Sequence, residues 1–164
     1  TACVERIDAD TLATVRRSPR LNGGPMWPGG MAVHRNGDLY VVYGRYAHRL
    51  DRDCQPKAEY RLPVARPYNS FVLLDCGLLV TKNISDTIAA RLTVLDPDSL
   101  RPVCADIDCP EPSIARLSSS RDTLYVVGVR SIFRYHWNST AGRLEYDDGW
   151  RFDYLGDSQQ TYGW

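Results

Sequence analysis

Between Gly30 and Leu62 the apolar and polar residues fall into successive short rhythms. Met31-Ala32-Val33 is an apolar run that stops at Asn36-Gly37, a two-residue hairpin signal because both positions tolerate a positive φ. Leu39-Tyr40-Val41-Val42-Tyr43 is apolar throughout and predicts a strand buried on both faces. After Gly44 a third run, Tyr46–Leu50, ends at Asp51-Arg52-Asp53. Lys57–Leu62 then alternates strictly, with Ala58, Tyr60 and Leu62 on one side and three charges on the other, the period of a half-exposed strand. One unit therefore runs from an inner strand to a solvated outer strand.

The unit recurs. Leu78-Leu79-Val80 and Leu124-Tyr125-Val126-Val127 match Leu39–Val42. Turn residues follow each third strand at Asp8-Ala9-Asp10, Asp51-Arg52-Asp53 and Asp96-Pro97-Asp98, with a degenerate fourth copy around Tyr135-His136-Trp137-Asn138-Ser139. Positions 8, 51, 96 and 136 lie 43, 45 and 40 residues apart. A repeat of that length with four strands per unit predicts an all-β fold of β-propeller blades, each a four-stranded antiparallel meander. About three and a half blades are expected: 1–17 as the end of one, then 30–66, 69–109 and 113–154, with 160–164 as the start of the next. A single domain is expected, as a fragment or partial ring that missing sequence or another chain would complete. A twisted sheet or sandwich that closes differently is the alternative. Asn83–Ala90 is longer than the matching Gly44-Arg45 and has room for one helical turn, and Asp147-Asp148-Gly149 reads as the turn of an extended outer hairpin.

The run Gly30-Met31-Ala32-Val33, continued by Gly37-Asp38-Leu39-Tyr40-Val41 and closed by Leu50-Asp51, resembles a blade of the six-bladed lactonase (gluconolactonase/regucalcin-like) and NHL-type propellers. Ser113–Ser118 with Asp122–Val127 is similar. In the lactonase type the resemblance implies a calcium or other divalent ion on the central axis, held by a Glu, Asn residues and an Asp. Asn69 stands where such an Asn belongs, and Asn83 and Asp86 are further candidates. The preceding unit has Gly29-Gly30 at the matching place, and the opening Glu has no counterpart before Trp27.

Composition narrows the partners. Twenty basic and twenty acidic residues cancel, which removes a bulk attraction to nucleic acid or anionic membrane. The basic side is 18 arginines to 2 lysines, read as composition bias. No run reaches the roughly 18 apolar residues of a membrane span, and no signal peptide is seen. Five cysteines, an odd number, leave two readings open: buried free thiols, or bridges between Cys104 and Cys109 and between Cys54 and Cys76 with Cys3 left over. Asn83-Ile84-Ser85 and Asn138-Ser139-Thr140 are formal glycosylation acceptors, which slightly favour a secreted or periplasmic setting.

Catalytic motifs do not emerge. There is no nucleophile elbow, phosphate loop or dinucleotide fingerprint. The repeated Asp-x-Asp pairs read as turn caps, because a calcium loop needs six to eight oxygens and here a strand follows at once. His34, His48 and His136 are scattered, each most simply a strand or turn residue. The first expectation is a non-catalytic binding or scaffold propeller without a cofactor. It would present a loop face to a protein or carbohydrate through Arg20, Asn22, Trp27, Arg66, Tyr68, Asn69, Asn83, Asp86 and Glu111. The alternative is a calcium-dependent lactonase-like hydrolase using the axial ion, with Asn69, Asn83 and Asp86 as ligands.

Overall fold

The computed structural model describes residues 2–24 and 29–155. Among them it holds no helix, and none therefore that is long and apolar enough to cross a membrane. Strands β1 (Glu5–Ile7) and β2 (Thr14–Arg17) form a two-stranded sheet, the half-blade. The first blade is β3 (Gly30–Val33), β4 (Leu39–Tyr43), β5 (Tyr46–Leu50) and β6 (Pro56–Arg61). The second is β7 (Tyr68–Leu73), β8 (Leu79–Asn83), β9 (Arg91–Leu95) and β10 (Ile107–Asp108). The third is β11 (Leu117–Ser120), β12 (Thr123–Val127), β13 (Ser131–Asn138) and β14 (Arg143–Asp153). Each sheet is a sequential antiparallel meander, as the repeat predicts.

The sheets stack by burying alternate faces. Tyr40, Val42 and Ala47 of the first blade meet Tyr68, Phe71, Leu79 and Leu95 of the second. The second blade turns Val80, Leu92 and Val94 the other way, onto Leu117, Leu124, Phe133 and Tyr135 of the third. A smaller cluster joins Val4 and Leu21 to Val41, Leu50 and Cys54. None of these sheets covers both of its own apolar faces; the neighbouring blade does it. Inner strands β3, β7 and β11 approach one another closely. A Cβ at Gly30 would collide with the backbone of Ser70 and Phe71, the Leu117 amide donates to Ser70 Oγ at 3.0 Å, and Ser119 Oγ donates to the Leu73 carbonyl at 2.9 Å.

The aspartate turns are caps. Asp8 Oδ1 accepts from the amides of Asp10 and Thr11, and Asp96 Oδ1 accepts from those of Asp98 and Ser99. Leu12 and Leu100 then sit at matching left-handed φ values of 57° and 58°. Asp51 does the same for Asp53 and Gln55. The fourth copy is centred on Asn138, whose Oδ1 accepts from Thr140 and Ala141, two residues beyond the His136 that the repeat suggests. These shared turns place β1 and β2 as the third and fourth strands of a blade.

Several expectations are corrected. Asp147-Asp148-Gly149 makes no turn: β14 runs unbroken through it and only its pairing with β13 shifts register. Asn83–Ala90 forms no helical turn, since the Ser85 amide instead bridges to the Ser113 carbonyl. All five cysteines are free. Cys54 and Cys109 turn into blade interfaces while Cys76 lies exposed, so neither bridge forms. The strand expected at 160–164 lies outside the described residues.

Candidate functional site

Two kinds of connection share one face: the links from an outer strand to the next inner one, and the links from second to third strands. They place Arg20 and Asn22, Arg66, Asp86 and Glu111 on that face, with Asn69 and Asn83 at strand ends beneath it. Trp27 lies outside the described residues.

Most of these side chains hold the face together. Asn22 Nδ2 donates to both Glu59 oxygens at 3.0 and 3.1 Å, and its carbonyl accepts from His48 Nε2 at 2.9 Å. Burial lowers the pKa of His48, which keeps that link a neutral one. Glu111 Oε2 accepts the Arg130 amide at 2.8 Å and its Oε1 accepts Ser131 Oγ at 3.1 Å, fastening two loops. Arg66 Nη1 donates to Ser85 Oγ at 2.9 Å, and that hydroxyl also takes the Ile88 amide at 3.2 Å. Ser85 thereby fixes the loop after β8, and Ile88 stands on it 55% exposed. Arg20 and Asp86 are exposed.

Tyr68 does not reach this surface. It is fully buried in the interface between the first and second blades, where its hydroxyl accepts the Val64 amide at 3.3 Å. Asn83 is buried too: its Nδ2 donates to the Ile84 carbonyl at 3.1 Å and its Oδ1 accepts the Arg91 amide at 2.7 Å. A glycan on Asn83 would have to be joined to the buried Nδ2 that donates to the Ile84 carbonyl. The second acceptor, Asn138, is spent on its turn.

The residues proposed for an axial calcium do not fit one. Asn69 Nδ2 donates to the Ile114 carbonyl at 2.7 Å, and its Oδ1 accepts Lys82 Nζ at 3.2 Å. The oxygen that would ligate a cation therefore faces a lysine amine. Arg116 lies close as well, its Nη1 donating to the Gly29 and Asn69 carbonyls at 2.8 and 3.0 Å and tying three inner strands together. Among the described residues no group of three or more His, Cys, Asp or Glu converges as a metal site.

Lys82 is the residue that sequence reasoning missed. It is fully buried, and its amine donates to Asn69 Oδ1 and to the Ser113 carbonyl, both at 3.2 Å and both neutral. Burial, opposed by Cys109 and helped by nearby Arg116, lowers its pKa to about 8. Burial also pushes the Cys109 thiol up to about 12 and raises Tyr135, whose hydroxyl is set against that thiol, a weak partner. No strand pattern marks the site, because Lys82 follows Leu79-Val80-Thr81 as a strand-end lysine ordinarily would.

No family model matches the chain, and no curated protein matches it in sequence. Solved structures do match in shape. BBS1N, in a crystal structure of its complex with ARL6DN, superposes with TM-score 0.61 at 14% identity over 86% of this chain and 43% of that one. A Bacteroides caccae protein of unknown function gives TM-score 0.60 at 12% identity over 87% of this chain and 52% of that one. The fold is a β-propeller's. The chain spans about half the length of these two relatives, and at such identities the likeness shows the fold alone. A third structure, virginiamycin B lyase from Staphylococcus aureus, superposes at TM-score 0.40 and carries no argument.

Proposed function

We propose that the chain is part of a non-catalytic binding propeller whose loop face engages a protein. The observation that carries this reading is the loop after β8. It is pinned through Ser85 to Arg66 and to Ser113, and it holds Ile88 in water on the same loop as the exposed Asp86. An ordered apolar knob with a charged rim is the chemistry of a protein contact, and its fixed backbone keeps the entropy lost on binding small. Carbohydrate is the weaker partner, since sugar rings call for exposed aromatic faces and Tyr68 offers none. The propeller neighbour solved in complex with ARL6DN supports a protein partner at the level of the fold class only. The lactonase reading loses its support at Asn69, whose oxygen is engaged by Lys82.

The test is affinity capture from the native source with three baits: the unaltered chain, Ile88→Asp, and Leu12→Asp on an exposed turn of the opposite face. A protein retained by the first and third baits and lost by about tenfold or more from the second supports the reading. Equal capture by all three baits, or calcium-dependent hydrolysis of a simple γ-lactone by the purified chain, overturns it.

A further inference from the structure

Basic and acidic residues cancel over the whole chain, but the fold does not mix them. Among the described residues the connections of the loop face carry Arg20, Arg45, Arg66, Arg116 and Arg130 against Asp86 and Glu111. The links on the opposite face hold the paired aspartates Asp8 and Asp10, Asp51 and Asp53, and Asp96 and Asp98, with Arg52 and Arg101 beside them. A neutral chain is thus folded into a molecule with a positive face and a negative one.

At the strand ends just under the loop face, charges pair off: Arg17 with Glu5, Arg91 with Asp108 and Arg151 with Asp153. On the connections above they meet neutral groups instead. Arg45 Nη2 donates to the Leu62 and Pro63 carbonyls at 3.2 and 2.9 Å, and Arg66 Nη1 donates to the Ser85 hydroxyl. Such bonds orient a guanidinium without neutralising it. Arg20 is exposed, and of the two acids Glu111 is already taken up by the Arg130 amide and Ser131. The supports of these arginines are contiguous with the knob. A Cβ at Gly44 would strike the Gly23 carbonyl, the Leu62 amide donates to the Arg45 carbonyl at 2.7 Å, and Arg66 reaches the Ser85 that fixes the loop of Ile88.

We propose that the protein engaged by the loop face presents an acidic segment to it, with carboxylates on Arg20, Arg45 and Arg66 and one apolar side chain against Ile88. This rests on the loop-face reading and adds the chemistry of the partner. Guanidinium groups already held in place bind carboxylates through two parallel bonds and give up little freedom in doing so. The opposed charge of the two faces turns the correct side toward an acidic partner as it approaches. A polynucleotide suits the molecule less well, because the aspartate turns of the far face repel a long polyanion.

The probe is a short synthetic peptide in which glutamates flank a leucine, titrated into the isotope-labelled full chain and followed by amide NMR shifts, with a glutamine-for-glutamate peptide as control. Signals around Arg20, Arg45, Arg66 and Ile88 should move while those of the turns at Asp8 and Asp96 stay, and high salt should weaken binding by about tenfold. Arg20→Glu and Arg66→Glu should each weaken it by about fivefold, Asp86→Asn should tighten it by about twofold, and Arg101→Glu on the far face should leave it unaltered. Arg20 is exposed, so its variant keeps the fold even where loosening Ser85 disturbs the other. No shifts, shifts matched by the glutamine peptide, binding that neither glutamate variant weakens, or equal binding of an oligothymidylate overturns the proposal. The two readings fail separately in the capture from the native source. A protein lost with Ile88→Asp yet held by both Arg20→Glu and Arg66→Glu overturns the acidic segment alone, and one that Ile88→Asp retains overturns the loop-face reading and this one with it.

Discussion

The two full blade interfaces are built to one plan and filled with different chemistry. Val42 of the first blade and Lys82 of the second hold equivalent register positions, opposite Gly30 and Ser70 respectively, and both are fully buried. Around Val42 the neighbours are Tyr40, Ala47, Tyr68 and Phe71, an apolar cluster whose two hydroxyls are both bonded, Tyr40 donating to the Pro97 carbonyl at 2.9 Å and Tyr68 accepting the Val64 amide at 3.3 Å. Around Lys82 are Asn69, Ser113 and Cys109, with Tyr135 nearby. The first interface buries apolar area at its centre and keeps its polar links at the rim, from Tyr40 to the Pro97 carbonyl, from Arg49 to Asp98 and from His34 to the Gly77 carbonyl. The second contains an amine taken out of water and given only neutral acceptors, an arrangement that fixes the 109–116 connection at the expense of stability.

The sharpest way to break this contrast is to move the amine. Val42→Lys would place an ammonium in the apolar interface with no acceptor arranged for it, and should destabilise the fold by about 3–5 kcal/mol in urea unfolding. A loss under about 1 kcal/mol would mean that the first interface is as polar as the second.

Titration sharpens it next. Lys82 has a folded pKa of about 8 against 10.5 when unfolded. Between those values the unfolded chain binds the extra proton, so this group makes stability rise with pH. The gain starts near pH 8 and amounts to about 3 kcal/mol by pH 10.5. Cys109 works in the opposite sense above pH 9, because its thiol stays protonated in the fold while it ionises in the unfolded chain. The clean measurement is therefore the stability difference between the unaltered chain and Lys82→Met, which should shift in favour of the former by about 1 kcal/mol from pH 8 to pH 9. A flat difference would show that the amine is hydrated.

The smallest expected effects have opposite signs. Tyr40→Phe removes a satisfied hydroxyl, leaves the Pro97 carbonyl and the Asn36 amide short of a partner, and should cost about 1 kcal/mol. Tyr135→Phe removes a buried hydroxyl set only against the weakly bonding Cys109 thiol and should be neutral or stabilising by up to about 1 kcal/mol. Thermal melts of the two variants side by side check the signs.

The sequence carried the architecture well because its signals are local. Asn36-Gly37, the apolar runs and the aspartate turns each depend on a few neighbouring residues, and strands and caps formed there. The turn at Asn138 was displaced by two residues because an amide there does the capping that carboxylates do in the other turns. What was not legible depends on the blade next door. Tyr68 reads as a loop-face aromatic until the first blade is laid over it, and Asn69 reads as a ligand candidate until its backbone partner arrives from Ile114 of the next unit. Lys82 belongs to the same class: a strand-end lysine becomes a buried one only when the third blade closes.

Gly30 has a consequence for the shape of the whole ring. With no side chain at Gly30 between β3 and β7, these two sheets converge toward the axis while tyrosines and leucines hold them apart further out, and this pair of blades becomes a wedge. The angle of that wedge decides how many blades fill a circle. A single added methyl at residue 30 would prise the narrow end open and flatten the curvature, so one hydrogen atom helps to set the circumference.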